Sequence, residues 1–235
     1  MTNGGEMARI VLLGGGFSSD PDTLLDDWLL RMLPRLRPRV CFLPTASGDS
    51  EVYMQRFHAA LDGRCETSAL GLFARDDRDP RDVLLNQDAI YVGGGNTANA
   101  LAVWRVHGVD RALVEAYHAG VVLGGISAGM ICWFESCLTD SFGPVAVLHD
   151  GLGLLAGSAC PHFDSEPARR PTYLRAVASG ELPSGWALDD GAAALFTDGE
   201  LVESAARRPG AHLRRVQAEP GGEVAETTIE ARLLG

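Results

Sequence analysis

The sequence has no lysine: all 20 basic residues are arginine. That absence removes whole mechanisms. A pyridoxal Schiff base, a Ser–Lys dyad and a Walker A phosphate site each need an ε-amino group. Cysteine is sparse as well. The five present (Cys41, Cys65, Cys132, Cys137, Cys160) are odd in number and lack CxxC spacing, which argues against a disulfide framework and a zinc knuckle. No cofactor and no metal are expected. No apolar run approaches the ~20 residues of a membrane span, so no membrane partner is expected. Positive charge is in deficit: 31 acidic residues against 20 arginines leave a formal net charge of −11. Nucleic-acid binding therefore lacks its electrostatic term. The stretch Met1–Glu6 shows no basic region followed by an apolar one, and a cytoplasmic location is the expectation.

What is present is an ordinary globular balance over 235 residues, 46% hydrophobic and 22% charged, ample for a buried core. Short apolar runs alternate with amphipathic stretches. Arg9–Leu13, Val40–Leu43, Ala89–Val92 and Val121–Leu123 read as buried strands, and another apolar run lies at Ala69–Phe73. Asp20-Pro21 offers a start for a helix reaching about Leu36. Further helical patterns cover Val52–Leu61, Thr97–Val106, Val109–His118, Met130–Glu135 and Arg170–Ala178. Such alternation predicts an α/β fold, a mostly parallel Rossmann-like sheet with helices on both faces. After about residue 135 the chain turns richer in glycine, and Ala192–Phe196 with Glu200–Val202 reads as a β-hairpin across Thr197-Asp198-Gly199. No linker or repeat interrupts the chain, so residues 1–235 are expected to form a single domain.

The strongest chemical signal is Gly125-Ile126-Ser127-Ala128-Gly129, between an expected strand and an expected helix. That context makes G-x-S-x-G a nucleophile elbow, in which a tight turn needs neighbours without Cβ. The helix start then sets its dipole and the Ala128 N–H beside Ser127, as an oxyanion donor would be. A second run, Gly93-Gly94-Gly95-Asn96-Thr97, also closes a strand, where ligands of open α/β sheets bind. A third, Gly14-Gly15-Gly16, gives G-x-G-x-x-S without an acidic partner about twenty positions on, and reads as turn chemistry. Among six histidines, His162 stands out, because Pro161 restrains the approach of the chain to it. A carboxylate to orient the ring comes from Asp164, Glu166, Asp189 or Asp190. Cys132 reads as a core residue rather than a nucleophile.

Gly93–Thr97, Gly125–Gly129 and Pro161-His162-Phe163, in that order, resemble the peptidase E (aspartyl dipeptidase) family of serine peptidases, which includes cyanophycinases. The resemblance implies a class I glutamine amidotransferase-like fold and a serine-type peptidase acting on short peptides, as a monomer or homodimer. It implies Ser127 as nucleophile, His162 as base and Asp190 as third triad member, with Gly94 and Ala128 as the oxyanion hole. Gly95, Asn96, Arg169 and Arg170 would then contact substrate. Departures are Asp190 in place of a glutamate and Ile126 in place of a tryptophan, and they leave the Asp-X dipeptide preference open. Two other readings stand beside it. One is an α/β-hydrolase-type esterase using Asp140 or Asp150 with His162 or His212. The other is a non-catalytic binding module of the same fold.

Overall fold

A computed structural model of the chain describes residues 7–17 and 20–235. Met1–Glu6 and the end of the Gly14 G-x-G-x-x-S pattern lie outside the described residues. The first half runs β1 (Arg9–Leu13), α1 (Leu24–Leu30), β2 (Arg39–Leu43), α2 (Glu51–Leu61), β3 (Glu66–Ala69), α3 (Pro80–Leu85), β4 (Ala89–Val92), α4 (Thr97–His107), α5 (Val109–His118) and β5 (Val122–Ile126). The second half runs α6 (Ala128–Ile131), β6 (Phe134–Thr139), β7 (Ala146–Leu148), β8 (Leu155–Cys160), α7 (Arg169–Ala178), β9 (Gly185–Leu188), β10 (Ala192–Thr197), β11 (Glu200–Ala206), β12 (Leu213–Glu219), β13 (Glu223–Ile229) and β14 (Arg232–Leu233).

The first sheet has eight strands in the order β14-β11-β10-β1-β5-β4-β2-β3. From β1 to β3 every neighbouring pair is parallel. On the other side of β1, β10 and β11 add an antiparallel hairpin. Its turn has positive φ at both Asp198 and Gly199, the mirror-image geometry that suits a two-residue hairpin loop. Of the parallel strands, β1, β2, β4 and β5 are buried on both faces, as their apolar runs require, while the edge strand β3, Glu-Thr-Ser-Ala, is half-exposed. Ile10 and Leu12 of β1 face one core with α4 and α5, while Val11 and Leu13 face the other with α1 and α2.

A second sheet has six strands in the order β13-β12-β9-β8-β6-β7. It shares a core with the α4–α5 face of the first: Trp133, Phe134, Cys137, Leu155 and Leu213 pack in one cluster with Ile10, Leu123 and Trp104. Its other face is covered by α7 through Tyr173, Ala176 and Val177.

Several local expectations are corrected. The first helix spans only Leu24–Leu30, because Pro34 and Pro38 cannot continue it, and Asp20 lies 3.5 Å from Arg207 instead of capping it. The run Ala69–Phe73 mostly follows β3; Leu70 and Leu72 are buried in a loop whose N–H groups bond Asp49. The helix expected over Met130–Glu135 stops at Ile131, and the chain re-enters as β6, with Phe134 and Ser136 buried on either side of exposed Glu135. Among the described residues no helix is long and apolar enough to cross a membrane.

Candidate active site

The site lies beyond the carboxyl ends of the parallel strands. Ser127 follows β5 directly and has φ +55 and ψ −112, a left-handed geometry that an L-residue adopts only under constraint. The constraint is steric. A Cβ on Gly125 or Gly129 would overlap the Val92 carbonyl of β4, so only glycine lets the turn and α6 settle this close to the strand. The Ala128 N–H, first in α6, has no intrahelical partner and sits beside the serine. Ser127 is half-buried.

The Gly93–Asn96 turn at the end of β4 abuts the elbow. A Cβ built on Gly94 would lie 3.4 Å from Ser127 Cβ and 3.9 Å from its Oγ. The Gly94 N–H donates to the Tyr53 hydroxyl at 3.2 Å. Asn96 caps α4, its Oδ1 accepting from Asn99 N–H at 2.8 Å and its Nδ2 donating to the Ser141 carbonyl at 2.9 Å.

His162 comes from the other sheet, just past β8, and it too has positive φ, +52. Its Nδ1 lies 2.7 Å from Asp190 Oδ1. That hydrogen bond raises the imidazole pKa against the opposing effect of burial, with the Asp190 charge adding to it. Burial alone would push the Asp190 carboxyl up; hydrogen bonds from His162 and Ser165, with the charges of His162 and Arg208, hold it below its ordinary value. The turn carrying Asp190 is tied on two sides. Arg208 bonds both Asp164 Oδ2, at 2.7 Å, and the Asp190 carbonyl, at 2.9 Å, and the Gly191 N–H donates to the Gly14 carbonyl at 2.5 Å.

β1 brings these groups together. Leu13 pairs with Ile126, the residue before Ser127, and Gly14 bonds Gly191, the residue after Asp190. Among the described residues no hydrogen bond joins Ser127 Oγ to the imidazole, whose bonded partner is Asp190. A cavity of 250 Å³ opens at Ser127, lined also by Gly95, Asn96, Asp140, Glu166 and Arg169.

The sequence profile of Peptidase family S51 matches residues 10–204. The chain belongs to peptidase family S51. It is therefore a peptidase, of the serine class. The uncharacterized peptidase YgaJ of Bacillus subtilis (strain 168) is 47% identical over 232 residues, spanning 97% of this chain and 100% of that protein. Peptidase E of Streptomyces coelicolor (strain ATCC BAA-471 / A3(2) / M145) is 31% identical over 135 residues, 55% of this chain and 53% of that one. The crystal structure of a peptidase from an acI-B1 Actinobacterium has the same fold, with a TM-score of 0.71 at 17% identity over 98% of both chains.

In this S51 peptidase, Ser127, Gly95, Asn96 and Arg169 line one cavity, Gly94 and Ala128 adjoin Ser127, and His162 and Asp190 form a bonded pair. Arg170 does not join them. It is exposed and bonds Glu226 of β13 at 2.9 Å. Asp189, the other candidate carboxylate, is fully buried; it pairs with Arg214 and accepts the His212 N–H, away from the imidazole. Asp150 pairs with Arg105 at the surface. Burial pushes the Cys132 thiol far up, consistent with a core residue. Tyr53 was not legible as a site residue: it is one aromatic on an amphipathic helix, and only the folded chain brings it to Gly94.

Proposed function

We propose that this peptidase hydrolyses short peptides through a Ser127–His162–Asp190 triad with an oxyanion hole at Ala128 and Gly94. The observations that carry the reading are Ser127 at φ +55 on a glycine-walled elbow and a His162–Asp190 hydrogen bond of 2.7 Å. Ser127 Oγ attacks the scissile carbonyl and passes its proton to His162 Nε2, which a side-chain rotation on substrate binding brings into reach. Asp190 accepts from Nδ1, selects the tautomer with Nε2 free, and stabilises the imidazolium that forms. The carbonyl oxygen, now an anion, is met by the Ala128 N–H and the α6 dipole. The Gly94 N–H turns to the same oxygen from the Tyr53 hydroxyl. The Tyr53 hydroxyl, which accepts from Gly94 before substrate binds, has a proton of its own to donate there as well. His162 then protonates the departing amine, and the acyl-enzyme is cleaved by water with His162 again as base.

Turnover of a dipeptide panel by wild type and Ser127→Ala, followed by mass spectrometry, tests this. A serine-directed phosphonate should add one adduct per chain, on Ser127, and none in Ser127→Ala. Labelling elsewhere, or undiminished turnover by the variant, would overturn the triad.

A further inference from the structure

The cavity at Ser127 has an unexpected balance of charge. Its cation, Arg169, is almost wholly withdrawn: the side chain is 2% exposed. Arg169 Nε donates to Glu166 Oε2 at 2.7 Å and Nη1 to the Leu138 carbonyl at 3.1 Å, while Nη2 lies 3.5 Å from Asp140 Oδ1. The two carboxylates are the open ends of the network, with Asp140 54% and Glu166 43% exposed. The cavity therefore shows an entering group two partly free carboxylates, backed by one guanidinium already engaged by both.

A carboxylate entering this space would be a third acid against one spent cation, taking up a like charge at close range and losing its own hydration. A cationic nitrogen meets the opposite situation. Each carboxylate has lone pairs that Arg169 leaves unused, and an ammonium or guanidinium supplies several donors to them. The volume, 250 Å³, suits one side chain or one peptide terminus rather than an extended ligand.

We propose that Asp140 and Glu166 make this cavity a subsite for a positively charged group on a substrate residue next to the scissile bond. The charge is the α-ammonium or a Lys or Arg side chain, and an Asp side chain is disfavoured there. The inference rests on Ser127 being the nucleophile, since that is what makes the cavity a substrate subsite.

The test compares kcat/KM for Lys-Leu, norleucine-Leu and Asp-Leu, for Leu-Lys against Leu-Asp, and for Ala-Leu against N-acetyl-Ala-Leu. We expect the cationic member to be favoured at least about tenfold in one comparison. A Lys effect identifies the side chain as the occupant, and a loss on acetylation identifies the α-ammonium. In Glu166→Gln the advantage should shrink to within about threefold. Asp140→Asn, whose contact with Arg169 is longer, gives the same readout if Glu166→Gln melts early. Calorimetric binding of the same peptides to Ser127→Ala reports the charge preference without turnover. It therefore separates failure of the subsite from failure of the nucleophile assignment. Preference for Asp-Leu or Leu-Asp over the Lys counterparts would overturn the inference. So would a cationic advantage unchanged in both carboxamide variants.

Discussion

Asp189 and Asp190 are adjacent in sequence and opposite in circumstance. Asp190 is half-exposed and holds the His162 ring; Asp189 is fully buried and neutralises Arg214. Asp190→Asn should leave the fold intact while lowering kcat by on the order of 10³–10⁴, because an amide favours the wrong imidazole tautomer. Asp189→Asn should do the reverse, lowering the Tm, because the mostly buried Arg214 would keep only Glu226, at 3.1 Å, as its charged partner. The pH profile follows from the same bond. In the proposed triad His162 must be neutral to accept the serine proton, and its pKa is raised above the usual 6.5 by the Asp190 hydrogen bond. The acid limb of kcat/KM should therefore lie above 6.5, with activity rising as pH rises through it. In Asp190→Asn that limb should move down. A limb unmoved by the substitution would detach Asp190 from the titrating group. The sequence singles out the proposed nucleophile and base through local patterns, a Gly-flanked serine and a Pro-preceded ring. It left the two aspartates open, because the choice between them depends on which way a turn faces, and no local pattern encodes that.

Turns and strand ends hold the elements of the site in register. The Gly14 run, read as turn chemistry, sits at the end of β1, where a Cβ on Gly14 would overlap the Asp189 carbonyl. Gly14→Ala should therefore push away the turn that carries Asp190. We expect a lower Tm and a fall in kcat larger than in KM, measured by thermal unfolding and steady-state kinetics. Gly63→Ala offers a control, since a side chain there meets nothing within 4 Å and only its positive φ of +69 is strained. Equal effects of the two would remove Gly14 from the site's support. Four strands of the parallel sheet, β1, β2, β4 and β5, are legible because they are apolar runs joined by amphipathic helices, whereas β3, Glu-Thr-Ser-Ala at the edge, carries no such run. The second sheet was not. Its β7 is three residues long, and β6 follows α6 with only Cys132 and Trp133 between them, so the apolar run from Met130 to Phe134 reads as one helix. The helix ends because Trp133 and Phe134 are drawn into the core shared by both sheets.

At the scale of the whole molecule, the proposed triad spans two sheets that share one core: Ser127 from the end of β5 in the first, His162 from the end of β8 in the second, Asp190 from the turn that leads back into β10 of the first. Around them lies a chain with a formal net charge of −11 and no lysine, whose arginines are largely engaged in ion pairs such as Arg207–Asp22 and Arg232–Glu203. The long-range field is therefore negative, and the open charges of the cavity have the same sign. A field of this sign speeds the approach of cationic peptides and slows that of anionic ones, and salt weakens it as the Debye length falls to about 8 Å at 0.15 M. Below saturation, kcat/KM for Lys-Leu should fall as sodium chloride is raised, and that for Asp-Leu should rise. The neutral norleucine-Leu should change least. The local subsite and the global field then separate by their salt response, because a close contact between a bound ammonium and Glu166 is screened far less than the approach from solvent. If the Lys-Leu advantage vanishes entirely at high salt, it belongs to the net charge of the protein. If a residual advantage persists there and is removed by Glu166→Gln, it belongs to the cavity.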